Sequence, residues 1–165
     1  MDLVVPLELV GVRVEIPANT PMVLLREQEG QHRLLPIYIG SPEASSIHYA
    51  LEGLEPPRPL THDLFLITLH ELGATVDKVV VTEMRDRTYY AELYLKVGDA
   101  EKVISSRPSD AIALAVRCDA PLFASEELID DVGQLPPEEP ESDADEIIDE
   151  FKDFIENVSP EDFEV

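Results

Sequence analysis

The sequence predicts an α+β domain: a mixed, largely antiparallel sheet built from two hairpin-strand-helix halves, with helices packed on the sheet. Three observations carry this reading. Runs with strand periodicity come in two groups separated by helix-period segments. Each group closes in a short polar turn with a proline at the start of a helix. Apolar residues make up 44% of the chain and charged residues 28%, the balance of a chain that buries a core.

In the first half, Leu3 to Pro17 alternates apolar and polar residues as a half-buried strand does, turning at Pro17-Ala18-Asn19. Met22 to Arg26 and Leu34 to Ile39 then form a hairpin about Gly30. Ser41 stands as N-cap and Pro42 as first helical residue of a helix that carries Ala44, Ile47 and Leu51 on one face and ends near Gly53. Pro56, Pro57 and Pro59 forbid regular structure until Thr61 caps a second helix, closed by Gly73.

The second half repeats the order. Thr75 to Met84 and Thr88 to Val97 make a hairpin about Arg85-Asp86-Arg87, and Glu101 to Ser106 adds a strand. Pro108 opens a small-faced, buried helix with Ser109 and Asp110 in its first turn. Leu122-Phe123 reads as a short edge strand, and Ser125 caps a last turn of helix.

Residues 1–133 thus form the domain, 134–144 an acidic proline-rich linker, and 145–165 an acidic amphipathic helix and tail. Ile147, Phe151, Phe154 and Ile155 form an apolar stripe that needs a surface: its own domain, a second copy or a protein partner for residues 145–158.

The N-terminus lacks a basic segment before an apolar stretch, and no run reaches the roughly 18 apolar residues of a membrane span. Cys118, the single cysteine, reads as a small core residue. A cytoplasmic location is therefore expected. The net charge of −23 repels nucleic acid at long range, so a nucleic-acid function requires a local basic site or metal ions held by carboxylates.

Zinc-type cysteine spacing, a glycine-rich phosphate loop and a nucleophile elbow are all missing from the sequence. What remains is polar residues at three helix starts: Ser41 and Glu43; Thr61, His62 and Asp63; Arg107, Ser109 and Asp110. Capping accounts for the hydroxyls, and the helix dipole for the acids. Arg107 is the best anion clamp, because a planar guanidinium fork suits phosphate.

Leu35-Pro-Ile-Tyr-Ile-Gly40 with Glu43, Arg58-Pro-Leu-Thr-His-Asp-Leu64, Thr88-Tyr-Tyr-Ala-Glu-Leu93 and Arg107-Pro-Ser-Asp-Ala-Ile-Ala-Leu-Ala115 together resemble the bifunctional nuclease domain family. The resemblance implies an α+β domain that forms dimers or higher oligomers and acts on DNA and RNA. Chemistry and membership of these motifs suggest the site. Glu43, Asp63 and Asp110 would hold Mg²⁺ or Mn²⁺, Arg107, Ser109 and Thr61 would bind substrate, and His62, Arg107 and Asp110 would be catalytic. The alternative is a non-enzymatic oligomeric binding or regulatory module that uses its acidic C-terminal helix. Self-association, with a homodimer as the default, is also expected from the edges of Val76 to Val81 and Tyr89 to Leu95.

Overall fold

The computed structural model describes residues 3–138, so the tail helix and most of the linker expected after residue 133 lie outside the described residues. The element order is β1 (Val4–Glu15), β2 (Thr20–Glu27), β3 (Leu34–Tyr38), α1 (Ser41–Leu51), α2 (Thr61–Glu71), β4 (Ala74–Arg85), β5 (Thr88–Val97), β6 (Ala100–Ser106), α3 (Pro108–Cys118), β7 (Leu122–Ser125) and α4 (Glu126–Val132).

Among the described residues the strands join one sheet in the order β3-β2-β1-β7-β4-β5-β6. Each half contributes an antiparallel meander, β1-β2-β3 and β4-β5-β6. β7 fuses them, antiparallel to β1 and parallel to β4. The α+β architecture holds, and two expectations about it change. Leu122-Phe123 is part of a central strand rather than an edge, because both sides of β7 are taken by the two meanders. β4 and β5 are likewise interior strands, so the outer edges of the described sheet belong to β3 and β6 instead.

Period-two alternation places Val23 and Leu25 of β2, Leu35 and Ile37 of β3, and Ala91, Leu93 and Leu95 of β5 in one core. α3 lies over it with Ala111, Ile112, Ala113, Leu114 and Ala115 all buried, its alanines allowing close approach to the strands and to α1. α1 buries Ala44 and Ile47, while α2 packs on α3 and β4 without burying any residue fully. Leu34 pairs with Gln134, which fastens the chain beyond α4 to the outer edge of β3.

Local details depart from expectation at three helix starts and at one helix end. Gly40, not Ser41, occupies the cap position of α1, and Leu60, not Thr61, that of α2. The Asp63 carboxylate replaces a hydroxyl cap by accepting from the Leu60 N–H at 3.0 Å. The α3 start follows a third route, with Arg107 at the cap and Ser109 buried in the first turn. Ser125 does cap α4, accepting from the Leu128 N–H at 3.1 Å. Cys118 is exposed at the end of α3, not in the core. No helix among the described residues is long and apolar enough to cross a membrane.

Candidate active site

The packing of α1 against α3, with α2 alongside, brings the starts of the three helices together. Each start carries polar side chains for local reasons, and tertiary contact joins them into a chain. Arg107 donates through Nη2 to Glu43 Oε1 at 3.1 Å and through Nε to Asp110 Oδ2 at 2.7 Å. Asp110 Oδ1 lies 2.9 Å from His62 Nε2, and His62 Nδ1 lies 2.6 Å from Ser46 Oγ. Arg117 completes the run, donating through Nη2 to Ser46 Oγ at 3.1 Å and through Nε to Asp63 Oδ1 at 2.8 Å.

The electrostatics favour the charged forms of Asp110, Asp63 and Arg107. Burial pushes the Asp110 carboxyl up, but hydrogen bonds from Arg107 and His62 outweigh it and leave it below the ordinary carboxylate range. An ionised Asp110 only accepts, so the His62 Nε2 beside it carries a hydrogen, while His62 Nδ1 faces the Ser46 hydroxyl within hydrogen-bond distance. For Asp63, too, burial acts upward and is outweighed by the hydrogen bonds from Arg117 and the Leu60 N–H. Arg107 is held still more firmly protonated by its hydrogen bond to Asp110.

Exposure separates a fixed part from a free part. The Arg117 side chain is 9% exposed, His62 14% and Glu43 16%, whereas Arg107 is 64% exposed. Arg117 also donates to the carbonyl oxygens of Ala113 and Ser46, and so fixes α1 to α3. A Cβ at Gly40 would press on the Glu43 carboxylate and force that side chain to shift. Arg107 is therefore the exposed cation of an otherwise braced cluster.

Glu43, Ser46, His62, Arg107 and Asp110 line a cleft of about 620 Å³, with Thr61 also in its wall. On the other side of Arg107 a second cleft of about 360 Å³ is lined by Tyr38, Arg87, Tyr89 and Ser109. The residues expected from the sequence divide accordingly. His62, Arg107, Asp110 and Glu43 are brought together; Thr61 and Ser109 are wall residues of different clefts. Asp63 faces Arg117 and lines a separate hollow with Tyr49 and Leu54. Among the described residues no group of three or more His, Cys, Asp or Glu side chains is gathered in a way that could hold a metal ion. Glu43 and Asp110 converge on a cation, and that cation is Arg107.

Sequence reasoning passed over Ser46 and Arg117. Ser46 falls three residues after Glu43, hence on the same face of α1, and that spacing was the available signal. Arg117 gave none, since one arginine near a helix end reads as a partner of the dipole.

The bifunctional nuclease domain family model matches residues 23–136. An uncharacterized protein of Mycobacterium tuberculosis (strain H37Rv) is 40% identical over 159 residues, covering 93% of this chain and 94% of its own. Bifunctional nuclease 2 of Arabidopsis thaliana is 33% identical over 131 residues, 73% of this chain and 40% of its own. Bifunctional nuclease 1 of Oryza sativa subsp. indica is 33% identical over 114 residues, 67% of this chain and 34% of its own. The chain thus spans well under half the length of the plant relatives that carry the nuclease name.

Proposed function

The chain belongs to the bifunctional nuclease domain family, and on that premise we propose that it hydrolyses phosphodiester bonds of DNA and RNA at the Arg107 cleft. One observation carries the reading: a guanidinium, a histidine and an ionised carboxylate are hydrogen-bonded to one another on the wall of one cleft. Arg107 is exposed enough to turn from its carboxylates to a phosphate, where its fork binds two oxygens. His62 takes the proton of the attacking hydroxyl, and Asp110 holds the imidazole in the tautomer that can do so. In the neighbouring cleft, Tyr38, Tyr89 and Arg87 offer flat surfaces on which unpaired bases stack, so single strands are the favoured substrate.

Mg²⁺ or Mn²⁺ belongs to the proposal. Glu43 and Asp110 would hold it in exchange for Arg107, while Asp63, paired with Arg117 in a separate hollow, does not fit as a third ligand. Bound there, the ion would act as a Lewis acid and offset the acidic field. The proposal also includes a cytoplasmic location and a homodimer, the dimer supported by the exposed Leu64 and Phe65 on α2, by Leu72 just past its end and by the exposed edge strand β6.

A second reading, an oligomeric binding module, draws on the fact that every charge of the cluster already has an internal partner, as in a structural ion-pair network. Incubation with single-stranded DNA and RNA, in Mg²⁺, Mn²⁺ or EDTA, decides between them. Cleavage that needs metal and is lost in Asp110→Ala supports the nuclease. A wild-type protein inert under every condition supports the module, and cleavage that survives the substitution places the chemistry elsewhere.

A further inference from the structure

We propose that Ser46 is a nucleophile, the attacking group of a covalent phosphoryl-transfer step in the Arg107 cleft. The inference deepens the phosphodiesterase reading and rests on it for its substrate class. A serine inside a helix commonly returns its hydroxyl to a carbonyl of its own helix or leaves it in water. Ser46 lies inside α1, yet its Oγ sits 2.6 Å from Nδ1 of a histidine 16 residues away. That histidine is oriented from behind by Asp110 at 2.9 Å. The order hydroxyl, imidazole, carboxylate is that of an activated nucleophile, with Nδ1 rather than Nε2 on the hydroxyl side.

Two further features fit chemistry better than bracing. Arg117 Nη2 donates to the same Oγ at 3.1 Å, so an oxyanion forming there meets a fixed, almost buried cation. Ser46 also lines the open cleft alongside Arg107, the group placed to hold a phosphate. A hydroxyl serving only to link two helices would not need a route to solvent.

The step balances without a redox partner. Ser46 Oγ forms a bond to phosphorus as the bond to the leaving nucleotide oxygen breaks, and the Oγ proton passes to His62 Nδ1 and on to that oxygen. Water then attacks phosphorus in the serine–nucleotide phosphodiester so formed. One water proton goes to Nδ1 and from there to Oγ as the Oγ–P bond breaks, which restores the serine.

The test treats the full chain in EDTA with diisopropyl fluorophosphate and locates any adduct by peptide mass spectrometry. We expect one diisopropylphosphoryl group, on Ser46, formed with loss of fluoride. The adduct should vanish in Ser46→Ala, form about 100-fold more slowly in His62→Gln, and form normally in Ser105→Ala, which alters an exposed serine of β6 that lines neither cleft. An unlabelled wild-type protein overturns the proposal even if a variant folds poorly, as does labelling at another residue or at a rate indifferent to His62. An adduct without cleavage of DNA or RNA would uphold Ser46 and reject the nuclease. Cleavage by wild type and Ser46→Ala alike, without an adduct, would do the reverse.

Discussion

Glu27 is only 5% exposed and stays ionised because Arg33 meets it with Nε, Nη2 and its own backbone N–H, each at 2.9 Å. The Arg33 side-chain hydrogen bond is the largest influence, and it holds the Glu27 carboxyl below the ordinary range against the opposing effect of burial. A carboxyl depressed on folding stabilises the fold above its unfolded value, and that stabilisation fades as pH falls through the folded value. Urea unfolding should therefore show wild type losing stability below about pH 4.3, the free glutamate value. Glu27→Gln should be less stable by about 3 kcal/mol at pH 7, with the gap closing in acid. Arg107 is the opposite case. At 64% exposure its ion pairs carry little stability, so Arg107→Ala should change unfolding by less than about 1 kcal/mol. The same change should lower cleavage about 100-fold, and Arg107→Lys should restore little, since an ammonium lacks the fork.

At the scale of elements, period and turn chemistry made both meanders and the four helices of the described residues legible from the sequence. β7 was legible as a strand but not in its place, because a four-residue run carries no signal of the two distant strands it joins. Helix starts were legible to one residue, and the misplaced cap hydroxyls followed from treating Ser41 and Thr61 as donors' partners where Gly40 and the Asp63 carboxylate do the work. α3 is the element the core depends on: Ile112 is fully buried, and Ile112→Ala should cost about 2–5 kcal/mol in urea unfolding. α2 is the reverse, with Leu64 56% exposed and Leu72, just past its end, 73% exposed. Leu64→Glu with Leu72→Glu should leave the fold intact and turn a dimer into an 18.4 kDa particle by light scattering. A wild-type protein that already scatters at that mass would remove the dimer from the account.

The whole molecule sets a cleft proposed to cut a polyanion in a chain of net charge −23. Residues 136–165 hold 13 of the acids and a single lysine. Ending the chain at Leu135 should tighten binding of single-stranded DNA at low salt, with the advantage shrinking as salt screens the field. Equal binding by both forms would show that the tail does not act on the cleft. The site was legible as three polar helix starts, but not as one chain of hydrogen bonds, since only packing of α1 on α3 brings Glu43 within reach of Arg107, 64 residues on. Whether that chain works as one catalytic unit is tested most directly by cleavage rates of Asp110→Asn, His62→Gln and the double variant on single-stranded DNA. The account expects each single change to cost about 100-fold or more and the double to be no slower than the worse single. Losses that multiply, or a wild type without cleavage, would contradict it.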